Sequence, residues 1–161
     1  MALKTNVSQF SRDARKLAGR GGKGASIFSL ASKDVETAIG NAFITMVRGT
    51  PQYSGTTAAS WNIGFSGATS EEVREQPEPN PPLKKGHGAA IEVARSSNEG
   101  NLKNLVSINK VRDVLVINNA PGAEQSEHGP VRKVNEPAGM FEVFKSALVE
   151  EFNKLEADLK L

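Results

Sequence analysis

His128 follows Glu124 and Glu127 in the stretch Ala123-Glu124-Gln125-Ser126-Glu127-His128-Gly129. An imidazole beside carboxylates can act as a general base or begin a metal site. A histidine-based metal site needs more material than the chain offers, since it has no cysteine and its one other histidine, His87, lies near a run of prolines. A small hydrolase centred on Glu127 and His128 is therefore the last-ranked reading, and a surface histidine among carboxylates the plain one. Ser54 and Ser60 lack the Gly-x-Ser-x-Gly elbow that presents a nucleophile, so turn and capping roles suffice for them.

Two further stretches invite a binding role. Gly19-Arg20-Gly21-Gly22-Lys23-Gly24 is rich in glycine but lacks both the Gly-x-x-x-x-Gly-Lys-Ser/Thr spacing and a preceding strand, so it reads as a connector and not as a phosphate cradle. Arg12, Arg15, Lys16, Arg20 and Lys23, with Lys4, gather basic charge toward the N-terminal end, where they could face DNA phosphates in binding that weakens steeply as salt rises. The formal charge of the whole chain is only +2, and Phe10 alone interleaves with these residues, so sequence-specific or single-strand recognition has little support. A DNA-binding accessory protein using this basic face is the alternative reading of the chain. No cofactor is implied.

The elements that would position these residues follow from hydrophobic spacing. With 161 residues, 38% of them hydrophobic and 24% charged, one α+β domain spanning 1–161 is expected. No apolar run approaches the length of a membrane span, and Met1 to Asn6 lacks the apolar core of a secretory signal. Val7, Phe10, Ala14 and Leu17 predict a first helix. Val35, Ala38, Ile39, Ala42, Phe43, Met46 and Val47 predict a second, capped by Ser32 and stopped by Gly49 and Pro51.

The chain then enters its most distinctive stretch, Thr50 to Phe65, which holds the only tyrosine and the only tryptophan. Ser54-Gly55-Thr56-Thr57 has turn chemistry, with Gly55 free to take positive φ. Trp61, Ile63 and Phe65 alternate with Asn62, Gly64 and Ser66, which predicts a strand with a buried aromatic face and a small or polar outer face. Trp61 is expected in the core.

Residues 67–87 carry Glu71, Glu72, Glu75 and Glu78 together with Pro77, Pro79, Pro81 and Pro82, and read as an exposed, extended arm. Gln76, Pro77, Pro79, Pro81, Pro82 and Leu83 are its candidate contact residues. Alanine content favours a helix over Gly88 to Arg95, and Asn98-Glu99-Gly100-Asn101 reads as a break. Leu102, Leu105, Val106 and Ile108 fit a helix or a strand equally. Val114 to Ile117 predicts a strand covered on both faces. Phe141, Phe144, Leu148, Phe152, Leu155 and Leu159 predict a long C-terminal helix behind Pro137 and Gly139. The expected architecture is α+β: a small, mainly antiparallel sheet packed against helices, with a proline-rich arm.

Thr50-Pro51-Gln52-Tyr53-Ser54-Gly55-Thr56-Thr57-Ala58-Ala59-Ser60-Trp61 resembles the "TPVDTGxLRxSW" signature of the tail-component or neck proteins of long-tailed bacteriophages. Asn118-Asn119-Ala120-Pro121-Gly122-Ala123-Glu124-Gln125-Ser126-Glu127-His128-Gly129 is similar to that family's "NNxPYAxxxEyG" segment. Pro137-Ala138-Gly139-Met140, followed by a long helix, is similar to its third motif. The matches keep the family's order and span Val35 to Phe152. Gly122 stands where the family usually has tyrosine, His128 where it has tyrosine or phenylalanine, and Tyr53-Ser54 replaces Asp-Thr.

The resemblance implies a non-enzymatic structural protein of the virion neck, assembled in the host cytoplasm. It would form a ring of six copies that joins head-completion or adaptor proteins to the tail terminator around the DNA channel. Asn118, Asn119, Glu124, Glu127 and His128 are then candidate contact residues beside the arm, and Arg12, Arg15, Lys16, Arg20 and Lys23 would face the channel and its DNA. A head-to-tail contact closes into such a ring when the rotation between neighbours fits.

Overall fold

A computed structural model describes residues 2–5, 24–50, 55–65, 69–76, 88–107, 110–111, 114–124 and 139–159. In chain order the elements are β1 (Ala2–Thr5), α1 (Gly24–Gly49), α2 (Thr56–Ala59), β2 (Asn62–Phe65), α3 (Gly88–Leu105), β3 (Val106–Ser107), β4 (Lys110–Val111), β5 (Val114–Ile117) and α4 (Met140–Leu159). The fold is α+β, as the spacing predicts. The predicted first helix, the glycine-rich connector, and residues Arg12, Arg15, Lys16, Arg20 and Lys23 lie outside the described residues.

The seven apolar positions predicted for α1 are all buried, and the helix stops at Gly49. Its start differs from expectation. Ser32 is no cap, because the helix already runs from Gly24. Ala25, Leu30 and Ala31 are good helix formers and no proline intervenes, so nothing in the preceding stretch halts the helix. At the far end, the Thr50 amide donates to the carbonyls of Met46 and Val47 at 3.1 and 3.2 Å, closing the last turn.

Three strands form one sheet in the order β1-β5-β2, antiparallel throughout. β5 is the central strand, with Leu3 and Ile63 on either side of Val116. A separate two-stranded ribbon joins β3 to β4. β1 is an addition to the expected strands. Four residues with one large apolar side chain are too few to announce a strand by periodicity.

α1 packs most extensively on α4, and also on α3, which in turn lies along β2. Their apolar faces meet Ile63, Val114 and Val116 of the sheet in a single core, whose largest fully buried side chains include Trp61, Phe43, Phe144, Ile39 and Met46. The predicted stripe of α4 is buried at Phe141, Phe144 and Leu148 and half-buried at Phe152 and Leu155, and the helix is entered through Gly139 at φ 125°. None of the described helices is long and apolar enough to cross a membrane.

α3 does not break at Asn98-Glu99-Gly100-Asn101. It runs through them to Leu105, 18 residues in all. Glycine there costs the helix roughly 1 kcal/mol, but tertiary contacts outweigh it. Asn98 is fully buried and hydrogen-bonded, and Leu102 packs against the core beside Gly40 of α1. Glu99 and Lys103 also pair across one turn at 2.6 Å.

Candidate interaction surface

The Thr50–Phe65 stretch forms a corner held from within. Gly55 adopts φ 93°, in keeping with the positive φ expected of it, and introduces the single turn of α2. Trp61 is fully buried, and its indole Nε1–H donates to Thr50 Oγ1 at 2.8 Å. Thr50 passes the bond on to the Met46 carbonyl at 3.1 Å. The Trp61 ring meets Phe141 edge-on, with centroids 5.7 Å apart and planes at 71°. The tryptophan thus ties the end of α1 and the start of α4 to the corner.

β2 departs from the expected alternation, because Asn62 and Gly64 are buried along with Ile63. Two covers account for this. On the strand's edge, the Asn98 side chain of α3 acts as a surrogate strand: its Oδ1 accepts the Ile63 amide at 2.8 Å, and its Nδ2 donates to the Trp61 carbonyl at 2.9 Å and to Ala94 O at 2.7 Å.

On the face predicted to be open, residues 69–76 fold back as a strap. Thr69 Oγ1 donates to Phe65 O at 3.0 Å, and Asn62 Nδ2 donates to Glu72 O at 3.0 Å. The arm assigned to residues 67–87 is therefore anchored in its first part, while Pro77, Pro79, Pro81, Pro82 and Leu83 lie outside the described residues.

Gly64 permits this return of the chain. A Cβ there would lie 2.7 Å from Thr69 Oγ1 and 3.1 Å from Thr69 Cα. Backbone cannot yield as a flexible side chain does. Gly64→Ala is therefore expected to lift the strap and to destabilise the domain by about 1–3 kcal/mol, read as a lower denaturant midpoint at unchanged slope.

The second stretch of the resemblance meets the corner. Asn118 is only 1% exposed; its Oδ1 accepts the Ala120 amide at 2.9 Å and its Nδ2 donates to Thr57 O at 2.7 Å. Expected at a contact with another protein, it faces inward and binds α2, because an asparagine can satisfy its own turn and one neighbouring carbonyl together. Asn119 is exposed and its Nδ2 reaches Glu71 O of the strap at 3.4 Å. Glu124 is exposed beyond it, and Glu127 and His128 lie outside the described residues. Gly122 sits against Thr57, where any Cβ would collide with the threonine hydroxyl, so this loop has no room for the tyrosine common in the resembled family unless Thr57 moves. Gln76 closes the strap, its amide donating to Thr56 Oγ1 at 2.9 Å.

A separate groove of about 580 Å³ runs between α1, α3 and α4, bordered by Asn41, Ile44, Arg48, Arg95, Leu102 and Glu151. Arg95, Glu99, Lys103 and Glu151 on its rim are each engaged in a pair within their own helix. A hydrogen bond from Lys103 lowers the Glu99 pKa, and the same bond raises that of Lys103. Lys154 and then Asn41 lower the Glu151 pKa by hydrogen bonding. These carboxylates are held in the ionised form, the opposite of what a general acid needs. Exposed pairs of this kind support their own helices and little else.

The buried side chain hardest to read in the sequence is Arg74. It sits in an acidic stretch that looks solvated, yet its side chain is 9% exposed. The chain matches no known protein family, no curated protein and no solved structure.

Proposed function

We propose that this chain is a structural protein of the bacteriophage neck. Six copies form a ring at the head-tail junction, joining head-completion proteins to the tail terminator around the DNA channel. The reading is supported above all by the union of two stretches that resemble the neck-protein signatures. Asn118 of the second bonds the Thr57 carbonyl of the first, 61 residues away in sequence, so the ordered matches share one structural unit. The corner acts as a rigid mount. Beside it Asn119 and Glu124 are exposed, and the strap ends at Gln76, where the proline-rich sequence begins.

Electron microscopy of purified particles tests the proposal. A ring of this chain is expected between head and tail, and finished particles lacking the chain would sink the reading. Deletion of residues 77–83 is expected to leave the thermal transition within a few degrees of the parent while reducing ring assembly severely, as seen by sedimentation or negative-stain imaging. Unchanged assembly would remove the proline-rich segment from the contact.

A further inference from the structure

The corner binds the strap through side chains, and it does so in the manner of a peptide-recognition site. Glu72, Arg74 and Gln76 recur at the two-residue spacing of an extended chain, and each is met by a different group. The Glu72 carbonyl accepts from Asn62 Nδ2 at 3.0 Å, the Arg74 amide donates to Ser60 Oγ at 2.8 Å, and the Gln76 amide donates to Thr56 Oγ1 at 2.9 Å. Between them the Arg74 guanidinium enters the corner, donating from Nη1 to Ala59 O at 3.0 Å and from Nη2 to Asn62 Oδ1 at 2.6 Å. Its carboxylate partner among the described residues, Glu72 at 3.3 Å, stands at the rim with a side chain 65% exposed. Neutral oxygens therefore do most of the holding. A planar, forked donor matches two acceptors set at different angles in a way a lysine ammonium does not.

We propose that the polar side of the 56–62 corner is a recognition site for an extended, arginine-centred peptide, that it is occupied in cis by residues Glu71–Gln76, and that Arg74 is the side chain it reads. Thr56, Ser60 and Asn62 are the receptor, and their polarity is explained by this role. Occupancy fixes the point and direction at which the chain departs toward Pro77. In a ring, every subunit then launches its proline-rich segment identically, which lowers the ordering cost of reaching a neighbour. That last consequence rests on the neck-protein reading, whereas the site itself does not.

Hydrogen exchange on the full chain separates the two. In Arg74→Met, which keeps the apolar stem and removes the fork, the amides of residues 74 and 76 are expected to exchange roughly tenfold faster or more, with protection of α4 and β5 unchanged. Ser60→Ala, which removes only the acceptor of the residue 74 amide, is expected to act in the same direction more weakly. Arg74→Lys is expected to fall on the side of Arg74→Met. Exchange at residues 74 and 76 that stays at the parent rate in both Arg74→Met and Ser60→Ala would overturn the site, as would acceleration spread evenly over the whole domain. Faster exchange with unimpaired ring formation would uphold the site and remove its use in assembly.

Discussion

Asn98→Leu is expected to lower unfolding free energy by about 3 kcal/mol or more, and to do so although leucine is apolar, branched at the same atom and a better helix former. The substitution leaves the Ile63 amide and the Trp61 carbonyl without the partner that holds them at 2.8 and 2.9 Å in a fully buried place. Each orphaned buried group costs about 1–3 kcal/mol, since water cannot replace the lost bond. Asn98→Asp keeps the acceptor for Ile63 but loses both donations and buries a carboxylate, so it is expected to be no better. Chemical denaturation followed by circular dichroism measures both. A change below 0.5 kcal/mol for leucine, the usual range of a neutral surface substitution, would mean that the edge of β2 finds another partner.

Trp61→Ala is expected to be at least as damaging, at about 3–5 kcal/mol. The loss has two parts. Removing a fully buried indole opens a cavity where α1, α4 and the corner meet, and it ends the edge-on contact with Phe141. It also deprives Thr50 of its donor, though Thr50 can still donate to the Met46 carbonyl. Trp61→Phe separates these parts, because it fills most of the space and loses only the indole bond, and about 1–2 kcal/mol is expected. A domain of this size has roughly 5–15 kcal/mol in all, so the alanine variant is expected to show a strongly lowered melting temperature by circular dichroism. Equal losses for the two variants would assign the effect to the Thr50 bond and not to packing.

Elements with a strong period and sequence-local causes were legible. The stripes of α1 and α4, the stop at Gly49, the left-handed Gly55 and the strand β5, buried except at half-buried Leu115, all depend on spacing or on one residue's conformational freedom. The departures at Asn98, β2 and Arg74 share a cause, which is a partner beyond the reach of local propensity and period. Asn98 looked like a helix breaker because its propensity is local, whereas its bonds reach back 35 and 37 residues to Ile63 and Trp61. Asn62 and Gly64 looked solvent-facing because the alternation of a strand says nothing about a strap that returns over it. Arg74 looked like one more charge in a hydrophilic stretch. In the candidate surface, the matching stretch marks Asn118 and Asn119 alike as contact residues, and only the fold turns Asn118 inward onto Thr57 and leaves Asn119 outward beside Glu71.

The side chain of Asn98 has a further consequence, for encounters between copies of the chain. An edge strand with open amides and carbonyls is a template for unwanted pairing. At β2 the Ile63 amide and the Trp61 carbonyl are occupied by an asparagine that imitates a peptide but cannot propagate one. These two groups are thereby closed to a further strand without proline, lysine or a bulge.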